Sequence, residues 1–259
     1  MSAHPPRDPW SGLARHTPAR IALGRTGASL PTEEVLKFAL AHAQARDAVH
    51  TPFDAAATAE QVRGLGFETL EVASAAPARD TYLRRPDLGR KLGEESRALL
   101  GARSAPAVDL ALVVADGLSS AAVHAQAVPF LAALKPWIAQ EGWTTPPVVI
   151  AREARVALGD EAGALLNARA VLVMIGERPG LSSPDSLGLY LTLGPRVGLS
   201  DAVRNCISNV RAEGLSHAAA AFKLAWLLKE AFRRGLTGVD LKDESDDFLV
   251  EGKPPLRLG

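Results

Sequence analysis

Ala170-Val171-Leu172-Val173-Met174-Ile175, followed at once by Gly176-Glu177-Arg178-Pro179-Gly180, is the stretch that decides the fold. Six consecutive apolar residues with turn-formers behind them read as a strand buried on both faces, ended by a tight turn. Moving outward, similar runs recur at 69–73 (TLEVA), 108–115 (VDLALVVA) and 148–150 (VVI). Helical spacing fills the intervals over 86–101, 119–140 and 160–168. A last long helix, about 216–234, directs Ala221, Leu224, Leu227, Leu228 and Ala231 inward and stops at Gly235 behind Arg233 and Arg234. Strands that are almost wholly apolar and alternate with helices predict an α/β fold: a mostly parallel sheet flanked by helices on both faces.

The N-terminal part differs. Residues 1–20 carry Pro5, Pro6, Pro9 and Pro18 and read as an extended leader. A helix is expected over about 32–50, with Thr32 as N-cap, Glu33 and Glu34 in the first turn, and Val35, Leu36, Ala39, Leu40 and Ala43 at helical spacing. The tail from Asp243 is acidic and contains prolines, and is expected to be loosely attached. The chain divides accordingly into a leader and helical extension (1–60) and an α/β domain (61–259).

Composition excludes several classes. The chain has 259 residues, 47% of them hydrophobic, ample for a core. Its 29 basic and 29 acidic residues cancel, so nothing in the charge favours nucleic acid or an anionic membrane as partner. No run is long enough to span a bilayer, and the first ten residues lack the apolar core of a secretory signal. The single cysteine, Cys206, rules out an intrachain disulfide and suits a reducing compartment. A cytoplasmic protein is expected.

Open α/β sheets bind ligands beyond the carboxyl ends of their strands, here the loops after 108–115, 148–150 and 170–175. Glu177 and Arg178 project from the third. The alternative reading is a surface loop with a Glu177–Arg178 ion pair. Cys206, in Arg204-Asn-Cys-Ile-Ser-Asn209, has no histidine nearby in sequence and reads as a small buried hydrophobe rather than a nucleophile. The six histidines (4, 16, 42, 50, 124 and 217) show no metal-ligand spacing; His124 and His217 read as helix-surface or half-buried residues. The four tryptophans are too dispersed for a stacking platform. Gly24-Arg-Thr-Gly27 is neither a dinucleotide fingerprint nor a P-loop, and no Gly-x-Ser-x-Gly elbow occurs. The residues alone describe an α/β module with a ligand-facing edge and no complete catalytic or metal set.

Two segments carry a resemblance. Ile175-Gly-Glu-Arg-Pro-Gly-Leu-Ser-Ser-Pro-Asp-Ser-Leu-Gly-Leu-Tyr190 and Arg204-Asn-Cys-Ile-Ser-Asn-Val-Arg-Ala-Glu-Gly214 resemble the small subunit of ethanolamine ammonia-lyase, supported by ARIALGRTGASLPTEE (19–34), YLRRPDLGRKL (82–92) and VVADGLSSAAV (113–123). The resemblance runs from about 18 to 242. It implies a Rossmann-like domain behind an N-terminal helical extension, and a permanent partnership with a large TIM-barrel subunit in heterodimers that assemble further. It also implies adenosylcobalamin lying between the subunits with its own base still on cobalt. Asp47 and His50 fall at the wrong spacing for the Asp-x-His-x-x-Gly motif that displaces that base, which agrees. The large subunit would carry the radical conversion of ethanolamine to acetaldehyde and ammonia. By position, the family's cobalamin contacts in this subunit fall on Val156, Glu177 and Cys206, none of them catalytic. Relatives often reside in a bacterial microcompartment, but the proline-rich leader does not read as an amphipathic targeting helix, so the cytoplasm is preferred. The rival readings are a free-standing α/β cofactor- or nucleotide-binding protein and an independent hydrolase using Cys206.

Overall fold

The computed structural model describes residues 8, 10–17, 19–103 and 106–246. Its centre is a six-stranded sheet in the order β1-β3-β2-β4-β5-β6. The strands are β1 (Thr69–Ala73), β2 (Val108–Ala115), β3 (Val148–Arg152), β4 (Ala168–Gly176), β5 (Leu187–Leu193) and β6 (Arg204–Val210). The first four pair in parallel. Parallel pairing stops at β4: β5 runs antiparallel to it, and β6 antiparallel to β5.

The apolar runs are explained by burial on both faces. Along β2, Leu110, Leu112 and Val114 enter one core with Ile150, Leu172 and Met174. Ala111, Val113 and Ala115 enter the other with Val149, Val171 and Val173. Three helices, α2 (Ala55–Gly64), α6 (Ser120–Glu141) and α8 (His217–Arg234), supply the first core, and α5 (Glu94–Gly101) and α7 (Leu158–Leu165) the second. α8 buries every residue expected of it, Ser216 caps its start by accepting the Ala219 N–H, and Gly235 ends it in the left-handed conformation. Among the described residues, no helix is long and apolar enough to cross a membrane.

Several details differ from the sequence reading. The expected helix 86–101 is two pieces, α4 (Pro86–Gly89) and α5, because the chain between them dips to the sheet. There Leu92 is buried, its N–H donates to Glu161 Oε2 (2.9 Å), and the Gly93 N–H donates to the Ala73 carbonyl (3.0 Å). The helix expected at 160–168 is α7, which ends at Leu165; a turn follows, and Ala168 already begins β4. α2 and α3 (Arg79–Arg84) were not expected.

The N-terminal helix, α1 (Thr32–His50), has its expected bounds, but Pro31 rather than Thr32 occupies the cap position. Of its residues only Ala41 and Ala48 are buried. Val35, Leu36, Ala39 and Leu40, which recur at helical spacing, are exposed, and Ala43 is half-buried. In the leader, a short 3-10 helix spans Ala14–His16; Pro5, Pro6, Pro9 and Pro18 lie outside the described residues. The start of the tail is not loose. Lys223 Nζ contacts Asp243 (3.1 Å) and Asp246 (2.6 Å), and Ser245 is fully buried; residues 247–259 lie outside the description.

Candidate functional site

The loops after β2, β3 and β4 meet at the carboxyl end of the parallel strands. Asp116 holds the first two together. This buried carboxylate accepts the N–H groups of Gly117 and Ala154 on Oδ1 and of Glu153 on Oδ2, each at 2.9 Å. Burial pushes Asp116 up to about 6; the Ala154 N–H pulls the other way, and the Glu153 charge adds to the rise. Glu153 sits in the left-handed region (φ 51°), a strained conformation that these bonds maintain. Arg79 closes the cluster, donating to Asp116, Glu153 and the carbonyls of Gly117 and Val49. It thereby ties the end of α1 to the β2 turn.

β4 is brought against that turn by two glycines. A Cβ on Gly176 would strike the carbonyl oxygens of Ser119 and Asp116, and one on Gly117 would strike the Gly176 carbonyl. Only backbone without side chain fits here.

The loops enclose a cleft of about 440 Å³ whose wall includes Tyr82, Arg155, Val156, Glu177, Arg178 and Tyr190. A second cleft of about 430 Å³ shares Arg155, Val156 and Tyr190 and adds Arg90 and Asp201. Val156 and Glu177, which come from the loops after different strands, thus share one cavity. Cys206 lines neither cleft among the described residues. It lies one strand further on, paired with Tyr190 across β5 and β6.

Glu177 is half-buried, and its carboxylate is held from two elements. The Ser186 hydroxyl donates to it, as does the Asn209 N–H of β6 at 3.3 Å, while its own N–H donates to the Ser186 carbonyl. No ion pair with Arg178 forms; Arg178 is exposed. Asp185 anchors the loop itself, receiving Arg211 (2.6 Å) and Gln126 (3.2 Å), and Gln126 in turn meets the half-buried His217 (2.8 Å). His124, on the exposed face of α6, accepts the Asp54 N–H.

Cys206 is exposed, which corrects the expectation of a buried hydrophobe. The thiol nonetheless stands above its ordinary value: partial desolvation among its neighbours is the main cause, the Tyr190 hydroxyl pulls the other way, and the Glu177 charge adds to the rise. A thiol held protonated is a poor nucleophile. The motif's first residue, Arg204, is structural, a bidentate partner of Asp160 (2.5 and 2.8 Å) with both side chains buried.

The model of the family described as "Ethanolamine ammonia-lyase light chain (EutC)" matches residues 7–242 of this sequence. The chain belongs to this family. It is 58% identical to the ethanolamine ammonia-lyase small subunit of Pseudomonas fluorescens over 96% of the chain and 92% of that protein. It is likewise 58% identical to the small subunit of Xanthomonas campestris, over 95% of the chain and 92% of that protein. The small subunit of Ralstonia nicotianae is 56% identical, with the same coverage on both sides as the Xanthomonas protein. In this light chain the two segments that carried the resemblance, 175–190 and 204–214, are neighbours in space: β4, its loop and β5 form the first, and β6 begins the second.

Sequence reasoning missed Arg155 and Asp116. Asp116 carried a signal, since it directly follows the strongest β2 run. Arg155 carried none; its position beside Tyr82 is made by the fold. Among the described residues, no group of three or more His, Cys, Asp or Glu side chains could hold a metal ion.

Proposed function

We propose that this light chain forms one wall of an adenosylcobalamin site completed by the large subunit of ethanolamine ammonia-lyase. The carrying observation is that Val156 and Glu177, far apart in sequence, line one cleft at the carboxyl end of the parallel strands. The residues suit an edge of such a group rather than the whole. A corrin with its nucleotide arm is far larger than either cleft, so these walls can contact only part of it. The same wall offers an apolar surface (Val156), a fixed acceptor (Glu177) and a partly exposed aromatic ring (Tyr190).

When bound, adenosylcobalamin supplies a homolysable cobalt–carbon bond, the source of the radical chemistry of the lyase. This chain binds and orients. Val156 packs against the corrin rim. Glu177, positioned in advance by Ser186 and the Asn209 N–H, accepts hydrogen bonds from the peripheral amides or sugar hydroxyls. Cys206, at the outer end of the same surface, is a small contact. Arg79 joins Val49, at the end of α1, to Gly117 at the cleft, and the exposed apolar residues of α1 suit docking on the large subunit.

Cofactor titration of the assembled Glu177→Ala enzyme tests the reading. A charged acceptor bonded to enclosed donors contributes about 1.5–3 kcal/mol, so affinity for adenosylcobalamin should fall by roughly 10- to 150-fold. Turnover at saturating cofactor should fall much less. An unchanged dissociation constant removes Glu177 from the site.

A further inference from the structure

Two arginines lie over the ring of Tyr82, and they are differently placed. Arg79, 4.9 Å from the ring centroid, is consumed by Asp116, Glu153 and two carbonyls. Arg155, 4.3 Å from the centroid, has no carboxylate within ion-pair distance among the described residues, and its Nε is buried without a hydrogen-bond partner. The side chain is only partly buried and faces the clefts, but its Nε is cut off from water with no acceptor, and a buried donor left unpaired is costly. The arginine is also held ready. The Arg155 backbone N–H donates to the Gly89 carbonyl (2.8 Å), and the Tyr82 ring and the Arg155 stem together fill the space left by the missing side chain of Gly89. The fully buried Tyr82 donates its hydroxyl to the Ala154 carbonyl (3.2 Å), which fixes the ring beneath the guanidinium.

Charge points the same way. The first cleft sets Arg155 and Arg178 against Glu177 alone. The second sets Arg90 and Arg155 against Asp201, and Asp201 is already engaged by Arg90 (3.4 Å) and Arg204 (3.2 Å). Arg155 stands where the two clefts join, so both present an excess of positive charge at one fork. A planar guanidinium matches a phosphate in geometry as well as sign. The side arms of a corrin end in neutral amides; the anionic group of the cofactor's periphery is the phosphodiester of its nucleotide arm.

We infer that Arg155 is the residue of this chain that grips the phosphodiester of the bound cofactor, an inference that rests on the adenosylcobalamin reading above. The nucleotide arm then lies over the junction of the two clefts, with Glu177 on the corrin side.

Three ligands separate this role from a structural one: adenosylcobalamin, adenosylcobinamide phosphate (phosphate without base) and adenosylcobinamide (neither). Binding of each is titrated by absorbance in the assembled enzyme carrying Arg155, Arg155→Gln or Arg155→Lys. Loss of a charge-assisted contact should weaken the two phosphate-bearing ligands by about 10- to 150-fold in Arg155→Gln. Adenosylcobinamide should change by less than about 3-fold, and Arg155→Lys should recover part of the loss. An equal penalty on all three ligands, or no penalty on any, overturns the assignment. So does weakened subunit association with ligand affinities unchanged, which would place a large-subunit carboxylate on Arg155. If the unsubstituted complex takes up no adenosylcobalamin, the underlying reading itself fails, and that outcome is distinct from the others.

Discussion

α1 and α8 are nearly equal in length, 19 and 18 residues, and stand at opposite ends of the chain, yet they are used differently. α8 buries eight side chains against the sheet and α6. α1 buries two alanines and leaves Leu36 (64% exposed) and Leu40 (60%) in solvent. Both show helical spacing of apolar residues in sequence. The difference teaches that such a stripe does not by itself say what covers it: in α8 the cover is this chain's own core, and in α1 this chain supplies none, which is why docking on the large subunit is proposed for that face.

Breaking the contrast at its strong end gives the largest expected effect. Leu228→Ala, in the α8 core, should destabilise the chain by about 2–5 kcal/mol. Leu40→Ala, in α1, should change it by no more than about 0.5 kcal/mol. Denaturant unfolding of the two variants checks both values. Pairing Leu36→Asp with Leu40→Asp should leave the fold intact and weaken association with the large subunit in sedimentation. Equal destabilisation by the α1 and α8 alanines would end the distinction.

Asp116 sharpens the comparison, because it fixes the turn to which Arg79 ties α1. Its folded value, about 6, lies above the ordinary value of 3.8. Between those values the folded chain holds a proton that the unfolded chain has released, so this group's contribution to stability is present at acid pH and is lost as pH rises through about 6. Asp116→Asn should therefore remove a downward slope in stability across that window. Its cost, from lost acceptors for buried N–H groups, should be on the order of 1–3 kcal/mol at the acid end and smaller at neutral pH. Thermal unfolding against pH for both forms measures this, and parallel curves would contradict it.

The smallest effect is expected at Cys206. Its exposed thiol lies beside the clefts rather than in them, so Cys206→Ala should weaken cofactor binding by less than about 3-fold and keep most turnover. Complete loss of activity at saturating cofactor, with assembly intact, would return a chemical role to the thiol.

What the sequence disclosed follows from the same physics. β2, β3 and β4 were legible because strands covered on both faces are almost unbroken apolar runs, and the edge strand β1 because Leu70 and Val72 alternate with the exposed Glu71. β5 was hidden because Gly188 interrupts its run and a loop rich in serine and proline leads into it. β6 was hidden because only Arg204, Ile207 and Val210 of Arg204–Val210 are buried. α2 is alanine-rich and short, although Asp54, whose side chain accepts the Ala57 N–H, was a readable cap. In the candidate site, Glu177 was legible because it directly follows a strand. Arg155 was not, since its significance lies in what it lacks, a partner, and that is visible only once the neighbours are in place.

The central claim is that neither subunit alone makes the cofactor site. It is tested most directly by measuring adenosylcobalamin uptake, by absorbance after equilibrium dialysis, for this chain, for the large subunit and for their mixture. The account predicts tight uptake, together with ethanolamine turnover, in the mixture only, with uptake weakened by at least about 10-fold in either separate subunit. Equal affinity in the large subunit without this chain would contradict it.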